Sequence, residues 1–161
     1  MKNLKIYYIS EKYVNYLRKF DKNVAYNKNT TRPYIGVVYT YNNYNYFSPL
    51  ASPKEKHIRI NENAIDVFKI KNGELGIVNI NNMIPTPIYE LTEVLPLVKD
   101  KKYKKMLEEQ LTFLNNNKSK LLRKIDIFQN MYRKGNLPKR VLDRSCNFKL
   151  LEEKFEEYIK K

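Results

Sequence analysis

Tyr34-Ile35-Gly36-Val37-Val38-Tyr39-Thr40-Tyr41-Asn42-Asn43-Tyr44-Asn45-Tyr46-Phe47-Ser48-Pro49-Leu50 is the stretch on which the fold turns. Tyr34 to Thr40 is β-branched and aromatic, Asn42-Asn43 is a turn signal, and Tyr44 to Leu50 returns, so a β-hairpin is predicted. Its second strand runs out into Ala51-Ser52-Pro53-Lys54-Glu55-Lys56-His57. That loop carries a hydroxyl, two lysines and the chain's single histidine. Proline restrains the residue before it as well as its own φ, so Pro53 presents Ser52 and Lys54 from a stiffened backbone. A nucleophile or a phosphate clamp requires such rigidity, and an ordinary solvated turn has the same spelling.

Upstream, Leu4 to Ile9 reads as a strand and Ser10 as the N-cap of a helix from Glu11 to Phe20, with Tyr13, Tyr16, Leu17 and Phe20 on one apolar stripe. Asp21 to Pro33 lacks periodicity and is a loop, in which Tyr26, Lys28 and Arg32 are candidates for phosphate or base contact. Downstream, Ala64 to Ile70 and Glu74 to Ile80 form a second hairpin, with Asn72-Gly73 favouring a type I′ turn. Pro85, Pro87 and Pro96 punctuate the next segment, in which Ile88 to Val94 reads as an edge strand. From Asp100 the period becomes helical: Tyr103, Leu107, Leu111 and Leu114, then Leu121, Leu122, Ile125, Phe128 and Tyr132, then Phe148, Leu151, Phe155 and Ile159. One α+β domain spanning residues 1–161 is expected: an antiparallel, twisted sheet of about five to seven strands with flanking helices.

Charge points to the partner. Of 161 residues, 31 are Lys or Arg and 17 Asp or Glu, a formal net charge of +14. The excess is clustered: residues 1–60 hold 11 basic and 3 acidic side chains and residues 99–144 hold 14 and 5, whereas residues 61–98 hold 2 and 5. Two basic segments suit opposite walls of an anion-binding groove, and Lys118, Lys120 and Arg123 are the candidates on the helical wall. The 14 Tyr and 7 Phe add faces on which bases stack. A polyanion, RNA in particular, is the expected partner.

Other classes are weakened. One cysteine and one histidine assemble neither an internal disulfide nor a structural zinc site, so no metal or other cofactor is expected. Lys2 and Lys5 precede only four consecutive apolar or aromatic residues, too few for a secretory leader, and no run approaches the ~18 apolar residues of a membrane span. A soluble, cytoplasmic protein is expected. The four glycines are isolated, so no phosphate-cradling loop exists, and there is no Gly-x-Ser-x-Gly elbow. What remains, Ser, Lys, Arg, Tyr and one His, suits RNA cleavage without metal. The ribose 2′-OH is then the nucleophile, and the protein orients it and stabilises charge on the phosphate.

Tyr7-Tyr8-Ile9-Ser10-Glu11-Lys12-Tyr13, Tyr34-Ile35-Gly36-Val37-Val38, Ser48-Pro49-Leu50-Ala51-Ser52-Pro53-Lys54, Leu75-Gly76-Ile77-Val78-Asn79-Ile80-Asn81-Asn82-Met83-Ile84-Pro85, Tyr103-Lys104-Lys105-Met106-Leu107 and Lys118-Ser119-Lys120-Leu121-Leu122-Arg123 occur in this order. Together they resemble the ToxN/AbiQ family, endoribonuclease toxins of type III toxin-antitoxin systems that also act in phage abortive infection. The resemblance runs through Cys146-Asn147-Phe148.

The resemblance implies a compact, strongly twisted antiparallel sheet similar to the Kid/MazF fold. It implies metal-independent cleavage of cellular and phage RNA at A-rich sites, leaving 2′,3′-cyclic phosphate and 5′-OH ends. The implied inhibitor is a small pseudoknot RNA antitoxin, cut by the toxin from a repeat precursor and closing with it into cyclic assemblies. In position, the family's serine and lysine fall on Ser52 and Lys54, and its lysine before the Ile-Gly strand on Arg32, which keeps the charge but not a transferable proton. Tyr26 matches a family tyrosine of the preceding loop. Ala51 stands where the family has threonine. Ser52 is thus expected to orient or relay the 2′-OH proton, Lys54 and Arg32 to bear phosphorane charge, and Tyr26 or His57 to position substrate, with Lys54 as an alternative acid or base if a neighbouring cation depresses its pKa and His57 as the alternative base. The alternative that the same residues allow is a non-catalytic protein that sequesters a structured RNA.

Overall fold

The computed structural model describes residues 3–160, so Lys2 lies outside the described residues. The predicted hairpin is its centre. Strands Tyr34–Tyr41 and Tyr44–Ala51 pair antiparallel with Tyr41 opposite Tyr44, across Asn42 and Asn43 at φ 48° and 69°. Asparagine tolerates this left-handed backbone, which a two-residue hairpin turn demands at both positions. In chain order the strands are β1 (Lys5–Ile9), β2 (Tyr34–Tyr41), β3 (Tyr44–Ala51), β4 (Val67–Lys69), β5 (Ile77–Asn79), β6 (Ile84–Pro85) and β7 (Leu91–Glu93). The sheet order is β4-β5-β3-β2-β1-β7, with β6 also on β3, and every pairing is antiparallel.

Strand β3 is hydrogen-bonded along both edges, which explains why Tyr46, Phe47, Ser48 and Leu50 are all buried. Alternation of polar and apolar residues gives way there to a continuous buried run. Near the middle of the hairpin the register slips between Ile35 and Tyr39. Gly36 lies in this irregular stretch, where an added Cβ would come 2.1 Å from the Phe47 ring.

Helices cover the sheet. Helix α1 (Glu11–Arg18) starts as expected on Ser10, whose Oγ accepts the Tyr13 N–H at 3.2 Å. A short α2 (Glu55–Ile58) follows β3. Then come α3 (Lys101–Asn116), α4 (Lys118–Arg133), α5 (Lys139–Arg144) and α6 (Phe148–Ile159), the last capped by Asn147. Helix α4 packs on β2, α6 on β6 and α3 on β1, and Leu107, Leu114, Leu121, Ile125, Phe128, Phe148 and Leu151 join the strand side chains in one core cluster. A buried pair locks α4 to α6 and the sheet: Arg133 meets Glu152 at 2.8 Å, and the Tyr46 hydroxyl donates to the same carboxylate at 2.6 Å.

Four expectations are corrected. Helix α1 ends at Arg18, so Phe20 leaves the apolar stripe and lies exposed under the Lys154 ammonium. Ile159, in the last turn of α6, is exposed as well. The second hairpin does not close on a two-residue Asn72-Gly73 turn. Ile70 N–H donates to the Gly76 carbonyl, and Lys71, Asn72 and Gly73 all take positive φ, so the connection is a five-residue loop. Ile88–Glu90 is a 3-10 turn rather than strand, leaving only Leu91–Glu93 to pair with β1 at the sheet edge. Among the described residues no helix is long and apolar enough to cross a membrane.

Candidate active site

Hairpin register brings the two halves of the site together. Tyr34 pairs with Pro49, and just beyond the strand the Leu50 N–H donates to the Pro33 carbonyl at 2.9 Å. Continued one residue further, this register sets Arg32 opposite Ala51, beside Ser52. Residues twenty apart in sequence thus become neighbours through backbone hydrogen bonds alone.

The Ser52 side is held from inside. Strand β3 ends at Ala51, and Lys54 takes extended backbone before α2. His57 is 1% exposed, and its Nδ1 accepts the Lys54 backbone N–H at 3.2 Å, which makes the neutral ring with its proton on Nε2 the bonded form. Burial, followed by the charges of Lys56 and Lys54, lowers its pKa below the ordinary 6.5. Its direct contact with RNA, expected above, is corrected: a ring buried against its own loop positions Lys54 instead. Behind this loop runs the 70–76 turn, where Gly73 abuts the His57 backbone and Gly76 the Ala51 carbonyl, each at positive φ. Gln110 of α3 donates to the Leu75 carbonyl at 2.8 Å and braces that turn.

The Arg32 side is a loop with few apolar contacts, held by hydrogen bonds. Asn27 donates to the Ile9 carbonyl at 2.9 Å, and its own carbonyl accepts from Thr31 and Arg32. Glu11 accepts the Thr30 N–H at 2.9 Å. Arg32 Nε donates to the Tyr26 carbonyl at 2.7 Å, which aims the guanidinium and leaves its terminal nitrogens for the cleft.

Between the two sides lies a cleft of about 370 Å³ lined by Lys28, Arg32, Ser52, Lys54, Tyr8 and Tyr103, with Thr31 and Ala51 at its wall. Among the described residues its charged side chains are all cations. Tyr103 is bonded to the Tyr8 hydroxyl, and burial together with that neighbour pushes its pKa up to about 12, so it remains a neutral phenol.

Of the residues picked from sequence, Ser52, Lys54, Arg32 and Lys28 share this cleft. The Tyr26 ring is exposed with the Arg18 guanidinium 5.4 Å from its centroid, and contributes its carbonyl rather than its ring to the Arg32 geometry. Lys118 and Lys120 do not form the opposite wall: they line a separate hollow at the α3–α4 junction, and Arg123 is exposed one turn further along α4. That wall comes from β1 and α3, as Tyr8 and Tyr103. Sequence reasoning missed both and placed Tyr103 in the core. The one local signal was a tyrosine at the very start of the α3 stripe, among Lys101, Lys102, Lys104 and Lys105. Among the described residues no three His, Cys, Asp or Glu side chains are grouped as metal ligands.

Comparison with known proteins gives the lineage. A family profile described as toxin ToxN of type III toxin-antitoxin systems matches residues 5–156. Endoribonuclease ToxN of Pectobacterium atrosepticum is 34% identical over 167 residues, covering 98% of this chain and 95% of that protein. The solved structure of AbiQ, a lactococcal anti-phage endoribonuclease belonging to a type III toxin-antitoxin system, superposes with a TM-score of 0.88 at 33% identity, over 99% of this chain and 100% of the other. A solved structure from work on selective toxin inhibition by a non-coding RNA pseudoknot superposes with a TM-score of 0.83 at 30% identity, over 99% and 100%. The fold and the match along nearly the whole chain agree, and the protein belongs to the ToxN toxin family of type III toxin-antitoxin systems.

Proposed function

We propose that the protein is a metal-independent endoribonuclease toxin that cleaves A-rich RNA in the Ser52 cleft. The 2′-oxygen attacks the adjacent phosphorus, the P–O5′ bond breaks, and the proton lost from the 2′-OH is balanced by one gained at the departing 5′-oxygen. The products are a 2′,3′-cyclic phosphate and a 5′-OH. Ser52 orients the 2′-OH and relays its proton. Lys54 and Arg32 stabilise the charge that grows on the phosphoryl oxygens, and Lys28 holds a neighbouring phosphate. His57 acts at one remove, by fixing the Lys54 backbone.

The observation that carries this reading is the shared cleft itself: one serine and three cations, without a carboxylate, on backbone held by hydrogen bonds from both sides. Three cations attract a phosphodiester and repel a divalent metal ion, which supports chemistry by protein groups alone. The relatives' names as endoribonucleases support the same activity.

The proposed inhibitor is a small pseudoknot RNA, processed by the toxin from a repeat precursor and retained in the cleft, with toxin and RNA in a cyclic assembly. The proposed setting is the cytoplasm, the role phage abortive infection, and the targets cellular and phage RNA. Tyr26, Lys120 and Arg123, with Lys118, extend the RNA surface beyond the cleft. The test is incubation of RNA-free protein with an A-rich RNA in excess EDTA, with Ser52→Ala in parallel. Cyclic-phosphate ends from the native protein and none from the variant are expected. Tight binding without cleavage would make the protein an RNA-sequestering relative instead.

A further inference from the structure

The turn that backs the Ser52 loop also puts Asn72 into a second cavity, of about 320 Å³, none of whose side chains lines the catalytic cleft. Phe68 of β4 and Phe113 of α3, both half-buried, form apolar walls. Lys120 and Lys124, four residues apart on α4 and therefore on one face, supply charge; Asn72 supplies a carboxamide and Asn117, whose Nδ2 already donates to the Phe113 carbonyl at 2.8 Å, its amide oxygen. The cavity's carboxylate is already answered: Glu62 pairs with Lys69 at 3.3 Å, and Lys69 also donates to the Ile58 and Ile60 carbonyls. Asp66 nearby is held by Arg144 at 2.6 Å. Lys124 is different. It is half-buried, has no hydrogen-bond or ion-pair partner among the described residues, and burial lowers its pKa against the opposing pull of Glu62 and Asp66. A desolvated cation left unpaired is unfavourable until an anion meets it.

We infer that this cavity takes up one nucleotide of the RNA strand whose scissile step lies in the Ser52 cleft, its base against Phe68 and Phe113 and its phosphate on Lys120 and Lys124. This rests on the ribonuclease reading of the cleft. A free phosphate would use only the lysines, whereas rings, carboxamides and cations together match base, base edge and phosphodiester. Spacing agrees. Tyr103 in the cleft and Phe113 in the cavity lie ten residues apart on α3, about 15 Å along its axis, which a few nucleotides of single strand span.

The experiment compares cleavage of two A-rich RNAs, one just long enough to fill the cleft and one extended to reach the cavity, by the native protein, Lys124→Met and Phe113→Leu. Lys124→Met keeps the side-chain volume, and Phe113→Leu keeps an apolar wall while removing the stacking ring. Either is expected to raise KM for the longer RNA about tenfold, the worth of one stacked or charge-held nucleotide, with kcat unchanged and the shorter RNA unaffected. Equal KM for the two RNAs with native protein, or equal effects of the variants on both, would overturn the second cavity while leaving the cleft intact. Failure of the native protein to cut either RNA would instead overturn the ribonuclease reading, and the inference with it.

Discussion

Arg32 and His57 show how much of this site depends on single side chains that do unlike things. Arg32 gives Nε to the Tyr26 carbonyl and its terminal nitrogens to the cleft, a division that a lysine with one ammonium cannot reproduce. Arg32→Lys therefore keeps the charge and loses the aim, and kcat for RNA cleavage is expected to fall about tenfold to a hundredfold, with a smaller change in KM, in steady-state assays. His57 makes the opposite kind of contribution, since its neutral ring accepts the Lys54 N–H. Its folded pKa is depressed below 6.5, so the unfolded chain binds the proton more tightly and stability rises with pH through that window. The contribution is complete above 6.5 and lost as pH falls through the depressed value. Thermal midpoints recorded between about pH 5 and 8 should drop on the acid side for the native protein. They should do so less for His57→Asn, whose carboxamide oxygen accepts the same N–H without titrating.

At the level of elements, the turn between β4 and β5 is the support of the cleft. Gly76 lies at φ +96° with an added Cβ 2.0 Å from the Ala51 carbonyl, whereas Gly135 lies at φ +73° with open space around it. Gly135→Ala thus carries only the backbone penalty, about 1 kcal/mol, and should leave cleavage unchanged. Gly76→Ala adds a clash that only movement of β3 or the turn relieves, so a destabilisation of more than about 2 kcal/mol is expected, together with reduced cleavage at temperatures where the variant remains folded. Denaturant unfolding and cleavage rates of the two variants measure the difference. A similar dependence holds between α4 and α6: Glu152→Ala strands the Arg133 guanidinium and the Tyr46 hydroxyl among buried groups. It should cost about 3 kcal/mol in the same unfolding assay.

For the whole molecule, charge clustering is the property to measure. Single-stranded RNA affinity should fall steeply between about 50 and 200 mM salt, and removing one cleft cation proposed to hold phosphate, Lys28 or Lys54, should flatten the log–log slope by about 0.7. Fluorescence anisotropy with a labelled oligonucleotide reads this directly. The clustering itself was legible in the sequence, as were the Asn42-Asn43 hairpin, the Ser10 cap, the helical stripes of α3, α4 and α6, and the Ser52-Lys54 loop with Arg32 before its partner strand. Each depends on residues within a few positions of one another, or on the pairing of two adjacent strands, so periodicity and turn chemistry determine it. Tertiary structure alone decided the rest. Tyr8 and Tyr103 reach the cleft because β1 pairs on β2 and α3 packs on β1, and Lys118 and Lys120 leave it because the chain reverses between α3 and α4. His57 turns inward because the five-residue loop before β5 closes over it. These placements follow from burying β3 along both edges and covering the sheet with long helices. That is a packing solution among segments up to a hundred residues apart, and no local pattern encodes it.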